Sequence, residues 1–523
     1  MSSDDDSLTQ DQRELGLRKM TWQGITSQVR MTLTESVFLV GFAVVVLNAP
    51  NTLIGILAAI PFLAQLLQIP SVYIIHRAGK RKIVNVVTQL GNRMAILGMA
   101  LIPFLSVSDV RLVLLVVFVA IQAIFNAIGS PSWNSWLRDL VPIDRLGRFF
   151  SVRMAATGVV AIIVALLGGQ FIGLWTEAYS QDPSIGYSIL FFVAFVFGMI
   201  AVYFTSTTPE PKLIVPDRAV KFSQIVEEPF KDDNFRQLIW FSVVWTFSTA
   251  LASPFFTVYL LNRAGLDLPA ITILVAVTQL VSIAFFRFWG RLSDRFSNKS
   301  ILQVSSPLFI ISTVMWTFTA VADFYSLKIP LLILIHVVSG FSSAGVNLAT
   351  SNIGLKLAPR GEATSYLASR GSVMAVAGTA APLIGGAAAD VFTEYGFRLD
   401  LTFEFPGGIF SNFPAYDITG LDFVFIISAI IGFYSLYRLS RVKETGEVDE
   451  HIVIDAIMEE TRRNVRTLST VDGLRHTFHI PVSEDSDSMR KRRKKRNLIQ
   501  KKTDPELKQT SEHLEDKDHS QGM

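Results

Sequence analysis

The chain has 523 residues, of which half are hydrophobic and only 17% are charged, and its formal net charge is +3. Soluble domains carry about 25% charged residues, so this chain has too few to cover a surface that faces water. It has no cysteine, no histidine pair at metal-ligand spacing and no phosphate-binding glycine loop. We therefore expect no metal site, no cofactor, no catalytic residue and no enzymatic reaction.

Twelve apolar segments predict an all-α integral membrane protein. Each is long enough to cross about 30 Å of hydrocarbon, and a helix satisfies its own backbone in lipid. The segments form two groups of six, at residues 27–205 and 236–440, separated by a polar linker at 206–235. Residues 1–26 form a cytoplasmic segment, and 441–523 a cytoplasmic, partly disordered tail. The predicted spans are 27–48, 52–75, 83–106, 110–137, 149–174, 184–205, 236–261, 268–289, 300–321, 328–355, 365–389 and 421–439.

Lysine and arginine are distributed unevenly between the loops. They are frequent on the side that holds the N-terminus, whereas the opposite loops contain only Arg111, Arg263, Lys328 and Arg398. Cytoplasmic loops carry an excess of these residues. We therefore expect a multi-pass protein of the cell membrane (plasma or inner) with both termini in the cytoplasm.

Three segments outside the spans have distinctive compositions. The aromatic loop at 390–420 is either a small lid or an interfacial patch. Residues 447–468 have the spacing of an amphipathic helix at the membrane surface. The basic block at 490–496 predicts contact with anionic lipid head groups. No folded nucleic-acid-binding motif accompanies this block, so no nucleic-acid partner is expected.

The two groups of six segments repeat one another. An offset of 217 residues aligns Pro142 with Pro359 and Arg153 with Arg370. An offset of 218 aligns Arg77 with Arg295 and Arg81 with Lys299, in short charged turns after the second span of each group. The same kind of turn at the same place predicts two fused six-helix units.

The stretch GRLSDRFSNK resembles the G-x-L-x-D-R-x-G-x-[RK] signature of the major facilitator superfamily. The first-half copy keeps Arg77, Gly79 and Arg81 but has His76 in place of the aspartate. The resemblance implies two pseudo-symmetric halves whose turns latch neighbouring helices on the cytoplasmic side, with Asp139 as a partner for Arg77 or Arg81. The alternative is simple anchoring of the loops. The matching second-half residues are Gly290, Leu292, Asp294, Arg295 and Lys299.

Polar stripes on the fourth and tenth spans predict a cavity. The resemblance implies that spans 1, 4, 7 and 10 line a central cavity, and span 7 adds Trp245. The alternative is that the small polar residues pack helices together in lipid. Near the cytoplasmic face, Arg153 and Arg370 either brace an inner gate or snorkel. The stripes consist of Gln122, Asn126, Ser130 and Asn134, and of Ser339, Ser343, Asn347 and Ser351.

Charged groups inside spans are costly and indicate function. Glu35 is the candidate proton-coupling residue, because a buried carboxylate can change its charge with the state of the site. Arg93, beside Asn92 in span 3, and His336 in span 10 are candidate cavity residues. The alternative for Glu35 is an interfacial glutamate, if the first helix starts later.

The expected function is secondary active transport of a small organic solute by alternating access, with protons as the coupling ion. Since few charges are predicted inside the spans, we expect a neutral or cationic solute rather than a strongly anionic one. The alternative is a transport-inactive sensor or scaffold that signals through its cytoplasmic tail.

Overall fold

The computed structural model describes residues 9–35, 37–142, 145–179, 182–211, 222–359, 362–405, 408–446, 448, 451–455 and 458. The basic block lies outside the described residues, whereas part of the predicted tail helix is described and is helical at 451–455 and 458. The first half consists of α1 Gln10–Thr34, α2 Val37–Gly41 with a π-helical turn Phe42–Val46, α3 Asn51–Gln65, α4 Gln68–Ala78, α5 Arg81–Leu101, α6 Ser108–Leu140, α7 Leu146–Ala178 and α8 Ser184–Thr207.

The second half repeats this order after the helix α9 Phe222–Lys231. It consists of α10 Asp233–Ala252, α11 Phe255–Asn262, α12 Leu268–Arg295, α13 Asn298–Met315, α14 Thr319–Phe324, α15 Lys328–Leu357, α16 Ala363–Phe392, β1 Gly396–Phe405, β2 Gly408–Thr419 and α17 Leu421–Ser440.

The predicted all-α membrane fold is confirmed. In the described part of the chain, eleven helical segments are long and apolar enough to cross a membrane. The second predicted span corresponds to α3, a shorter apolar helix that α4 follows after two residues. Proline and glycine within this stretch do not prevent the helix, since Pro61 lies inside α3. The twelve predicted spans thus match the helices of the structure closely, though not one for one.

The first helix begins well before the predicted start at residue 27. Thr9 and Gln12 form a capping box, in which the Thr9 hydroxyl accepts from the Gln12 N–H and the Gln12 side chain accepts from the Thr9 N–H. Such a box satisfies the exposed donors of a helix start. Hydropathy alone misses this polar part. The α1 helix starts at Gln10, within the segment 1–26 that was predicted to precede the first span.

The helices of the two halves pack in the same pattern. In the first half α1 packs against α7 and α8, and α5 packs against α6 and α8. In the second half α10 packs against α16 and α17, and α13 packs against α15 and α17. The halves are joined mainly by α3 with α16 and α7 with α12, and α2 also contacts α11 and α12.

We call the end of the bundle that holds Gln10 and Ser440 the terminal end and the opposite one the distal end. The halves are joined tightly near the distal end. A Cβ on Gly55 would lie 2.2 Å from the Pro382 carbonyl oxygen, and one on Gly386 would lie 2.5 Å from that of Asn51. Because no side chain fits there, the backbones of α3 and α16 touch.

An aspartate reinforces this distal contact. The Asp390 carboxylate accepts hydrogen bonds from the backbone N–H groups of Asn51 at 2.9 Å and Thr52 at 2.8 Å, and from the Thr52 hydroxyl at 2.5 Å. An anion at the N-terminus of a helix is stabilised by the helix dipole. The largest hydrophobic cluster also lies towards this end and joins both halves through Phe42, Phe255 and their neighbours. The α3–α16 contact, which we call the distal seal, therefore closes one side of this end, while a cavity of about 760 Å³ lies between the halves beside α7 and α12.

Residues 390–420, predicted as a small lid or an interfacial patch, have regular secondary structure. They contain an antiparallel hairpin of β1 and β2 with irregular register at Leu399/Asp400 and Phe403/Glu404. The sequence GFRLDLTFEF alternates apolar and polar residues, which is the period of a strand. Tyr416 packs its ring on Phe318 and shares a 3.0 Å hydrogen bond with the Thr317 hydroxyl.

Candidate functional site

The first helix is interrupted at Glu35. The α1 helix ends at Thr34, Glu35 has extended backbone angles (φ −120°, ψ 162°), and α2 starts at Val37. Irregular backbone at membrane depth is tolerated where it lines a cavity. Transporters often place their binding sites at such discontinuous helices. Glu35 thus lies at a break in the helix rather than along a continuous one.

A cavity of about 470 Å³ lies between the two halves, and we call it the interhalf cavity. Its polar residues come mainly from the first half, and the second half contributes the start of α11 and the residues before it. Glu35 lines it directly. The polar lining residues are Arg30, Thr34, Glu35, Asn92, Gln122, Asn126, Ser253 and Thr257.

A second cavity of about 230 Å³ lies within the first half, and we call it the first-half cavity. It shares Arg30, Asn92 and Asn126 with the interhalf cavity, so the two cavities are adjacent and together make up one polar region. Trp133 and Phe125 supply aromatic walls. Its polar lining residues are Gln23, Ser27, Arg30, Asn85, Thr88, Gln89, Asn92, Arg93, Asn126, Ser130 and Arg153.

Asn92 and Arg93 belong to a hydrogen-bond network in the lining of this region. The Asn92 amide donates to the Gln122 carbonyl oxygen at 2.9 Å and accepts from Arg93 at 2.7 Å. A second guanidinium nitrogen of Arg93 donates to Gln89 at 3.5 Å. Nε of Arg93 and the side-chain nitrogen of Gln122 have no partner among the described residues. Both atoms are buried, and Nε of Arg93 faces α8, where a Cβ on Gly198 would lie 2.8 Å from it.

Arg30 was not predicted as a cavity residue. It lines both cavities, its side chain is 7% exposed, and its Nε has no partner in the described part of the chain. The charges of Arg30 and Glu35 act on each other. Hydropathy places Arg30 in the first turn of a span that starts at residue 27, where an arginine anchors to head groups. The helix actually starts at Gln10, which places Arg30 deep in the bundle.

Arg153 and Arg370 occupy equivalent positions and make equivalent contacts. Arg153 donates to the Met20 carbonyl oxygen at 2.7 Å and to Gln23 at 3.1 Å, which holds α7 on α1. Arg370 donates to the Ser242 hydroxyl at 2.8 Å and to the Thr350 carbonyl oxygen at 3.1 Å, which holds α16 on α10 and α15. Both arginines point inward to other helices rather than outward to head groups.

The second-half candidates lie mainly in helix packing. Trp245 packs between the rings of Phe241 and Phe309. His336 is paired through Nδ1 with the Leu332 carbonyl oxygen at 2.7 Å.

The two serine candidates of α15 form hydrogen bonds within the second half. Ser339 donates to the Ser312 hydroxyl at 3.0 Å, and Ser343 to the Gly340 carbonyl oxygen at 3.3 Å. Asn347 and Asn134 are exposed, and neither lines the two cavities described above. The structure thus brings Gln122, Asn126 and Ser130 together with Asn92 and Arg93, but not with the α15 residues.

The first-half turn forms the predicted contact between helices. Arg81 donates to Asp139 at 2.5 Å and to the Pro211 carbonyl oxygen at 2.7 Å, so it is Arg81 rather than Arg77 that meets Asp139. Glu210 accepts from the Arg81 N–H at 2.6 Å. Gly79 ends α4 with φ +64°, a left-handed conformation that favours glycine.

The second-half turn is held by a different set of residues. The Glu444 carboxylate accepts from the Lys299 N–H at 2.7 Å and from the Asn298 amide at 3.0 Å, and it pairs with Lys356 at 2.8 Å. Asp294 and Arg295 are exposed and form no ion pair with any residue that the structure describes.

In the second-half turn, the Arg295 guanidinium lies over the Phe296 ring, and a Cβ placed on Gly290 would meet open space. Glu210 and Glu444 were not predicted, because they are 234 residues apart and the repeat offsets of 217 and 218 do not align them.

These features define a multi-pass helical transporter with two pseudo-symmetric halves around a polar cavity. The sequence profile of the Major Facilitator Superfamily matches residues 26–389, and the chain belongs to this family of membrane transporters. No curated protein sequence matches the chain.

Solved structures show the same fold. A bacterial homologue of the human lysosomal transporter Spinster, in an inward-facing and occupied conformation, has a TM-score of 0.61 at 14% identity and covers 84% of this chain and 100% of its own. The D-xylose-proton symporter has a TM-score of 0.59 at 15% identity, with 83% and 99% covered. The nucleoside transporter NupG has a TM-score of 0.57 at 12% identity, with 83% and 100% covered. At such identities the likeness establishes the fold alone.

Proposed function

We propose that the protein is a secondary active transporter that moves a small organic solute by alternating access of its two halves. The observation that carries the proposal is the polar region formed by the interhalf and first-half cavities. It lies where the halves meet, beside a broken helix, and the backbones of α3 and α16 touch at the distal end. A site that two packed units can expose to either side in turn is what alternating access requires.

Protons are the proposed coupling ion, and Glu35 is the proposed proton site. Its carboxylate lines the interhalf cavity next to Arg30, so a change in its charge alters the electrostatic balance of the cavity. Among the residues known to line this cavity, Glu35 is the one carboxylate. A group that changes charge with the occupied state is what coupling needs.

The proposal is tested with the full chain in proteoliposomes that contain a pH-sensitive dye. A panel of sugars, carboxylates, sugar phosphates and amines is added under an imposed proton gradient. The wild type is compared with Glu35→Gln and with Glu394→Gln, a matched change at an exposed glutamate that follows α16 at the distal end. We expect a solute to move protons in the wild type and in Glu394→Gln. Glu35→Gln should lose coupled uptake and keep solute exchange.

Two outcomes would contradict this proposal. Proton-driven uptake that Glu35→Gln retains in full would remove Glu35 as the proton site. Failure of every solute to move would favour the alternative of a sensor or scaffold that signals through the tail.

We also propose that both termini face the cytoplasm and that the distal end faces the outside of the plasma or inner membrane. The chain has no cysteine, so single cysteines can report the orientation. An impermeant maleimide added to intact cells should label Glu394→Cys at the distal end. Thr445→Cys, at the terminal end, should react only after permeabilisation, and the reverse pattern would invert the orientation.

A further inference from the structure

The first-half cavity is strongly cationic. Its lining contains the three arginines Arg30, Arg93 and Arg153, and no carboxylate is among the described residues that line it. The charges of Arg30 and Arg93 act on each other. The expectation of a neutral or cationic solute rested on few charges in the spans, and the structure instead gathers three guanidinium groups around one cavity.

Two of these guanidinium groups lack a full set of partners. Arg30 and Arg93 are 7% and 4% exposed, and the Nε atoms of both have no hydrogen-bond partner among the described residues. Arg153 differs, because two acceptors on α1 hold it in place. Arg93 has two side-chain amide acceptors, and Arg30 interacts with the charge of Glu35. The three guanidinium groups nevertheless share one cavity whose described lining holds no carboxylate, so a bound anion would balance their charge there.

The fold itself does not require this charge. At the offsets of 217 and 218 residues that relate the two halves, the positions equivalent to Arg93 are Ile310 and Ile311. Ile310 is buried in the second half, where the same helix packing forms without a buried arginine on α13. An arginine at the position of Arg93 is therefore not required to pack α5 in the bundle.

We propose that Arg30 and Arg93 bind the oxyanion, a carboxylate or a phosphate, of a small hydrophilic organic anion, and that this anion is the solute of the proposed function. Guanidinium groups present paired donors that match carboxylate and phosphate oxygens. The amides of Gln23, Asn85 and Asn126 surround the cavity and supply hydrogen-bonding groups for the polar body of the solute.

Glu35 acquires a more specific role in this arrangement. It lines the interhalf cavity with Arg30, so its ionised carboxylate competes with the solute oxyanion for the same guanidinium. Removing the negative charge from Glu35 strengthens anion binding, because Arg30 is then balanced only by the solute. The proton and the anion therefore favour the same state of the site.

The experiment measures thermal unfolding of the purified full-length protein in detergent, because a ligand that binds the folded state raises Tm. The probes are choline, glucose, glucuronate, glucose 6-phosphate, acetate and inorganic phosphate at constant ionic strength. Glucose, glucuronate and glucose 6-phosphate share one ring and differ in the group attached to it, so their comparison separates carboxylate from phosphate recognition.

The variants are Arg30→Gln, Arg30→Lys, Glu35→Gln and the control Arg287→Gln. Arg287 lies on α12, is exposed and is not among the lining residues of either cavity. We expect at least one oxyanion to raise the Tm of the wild type and the control, with an apparent Kd at least about tenfold weaker in Arg30→Gln. Arg30→Lys should lie between them, since it keeps the charge and loses the paired donors. Glu35→Gln should bind more tightly than the wild type.

Three results would overturn the proposal. One is stabilisation by choline or glucose with none by an oxyanion. Another is equal oxyanion affinity in the wild type and in both Arg30 variants. The third is a flat response to every oxyanion up to about 50 mM, a concentration that saturates a site of roughly millimolar Kd. Binding in detergent needs no proton gradient, so an anion site can be present while proton-coupled transport fails, and each proposal is judged separately.

Discussion

The third membrane-spanning segment of each half, α5 in the first and α13 in the second, occupies the same place but presents different side chains. In the first half, α5 presents Gln89, Asn92 and Arg93 to a polar cavity. In the second half, α13 buries Ile310 and Ser305, and the Ser305 hydroxyl donates back to its own helix. Equivalent helix packing therefore surrounds a polar cavity in one half and a packed core in the other.

What the halves share is equally instructive. Arg153 attaches α7 to α1, and Arg370 attaches α16 to α10. Glu210, after α8, caps the start of α5, and Glu444, after α17, caps the start of α13. These repeated features hold helices together, whereas most polar residues that line the two cavities belong to the first half. In a duplicated fold, departures from the repeat point to the site.

The largest expected effect comes from identical substitutions in the two halves. Asn126→Leu should lower solute uptake about 10- to 100-fold, because losing a hydrogen bond to a polar or charged ligand costs about 1.5–3 kcal/mol. Asn347→Leu, on the equivalent helix α15, should change uptake by less than about threefold. Asn126 lines both cavities and Asn347 neither.

Initial uptake rates in proteoliposomes, normalised to the amount of inserted protein, measure both variants. Equal losses of uptake in the two variants would show that both halves bind the solute, and would contradict the functional difference between the halves.

The next effect concerns the contact that joins the halves. Asp390→Asn removes the charge from three hydrogen bonds across the distal seal, so the distal end should open more often. A loss of about 1.4 kcal/mol would raise the open population about tenfold. A single cysteine at Ala58, which lines the interhalf cavity, reports opening through its labelling rate from the distal side.

Asp323→Asn is the matched control for the distal seal. Asp323 pairs with Lys328 at 2.9 Å within the second half, so the control should leave the labelling rate unchanged. If Asp390→Asn and the control label alike, α3 and α16 are held by backbone contact alone.

The smallest effect separates the two capping glutamates. Glu444 is fully buried and also pairs with Lys356, whereas the side chain of Glu210 is 18% exposed. Hydrogen bonds to a buried charge contribute about 1.5–3 kcal/mol, and partial exposure weakens them. Glu444→Gln should therefore lower the Tm by more than Glu210→Gln, measured on purified protein in detergent. The opposite order would mean that the first-half turn bears more of the stability.

The sequence predicted the features that depend on lipid and on repetition. Apolar length located the helices, since a span must be long and apolar whatever its neighbours are. The fixed offset paired Arg153 with Arg370, whose contacts in the structure are equivalent. The polar residues Gln122, Asn126 and Asn92 were likewise identified, because amides are costly in lipid and seldom occur there without a partner.

Other features depend on contacts that a linear reading does not contain. Arg30 belongs to the cavity only because α1 begins at Gln10, which polar residues and a capping box decide rather than hydropathy. Glu444 reaches the start of α13 from beyond the last span. The signal for the hairpin was present in the alternation of its first strand, but it lies among apolar helices whose composition obscures it.

Among the described residues, contacts of its second strand attach the hairpin to the second half. Tyr416 meets Thr317 and Phe318, and Asp417 forms an ion pair with Arg263 at 3.4 Å. Because these partners belong to one half, we expect the hairpin to move with that half if the two halves alternate as proposed. An antibody fragment raised against it would keep its epitope through the transport cycle and would serve as a fiducial for particle alignment in electron cryomicroscopy without selecting a state.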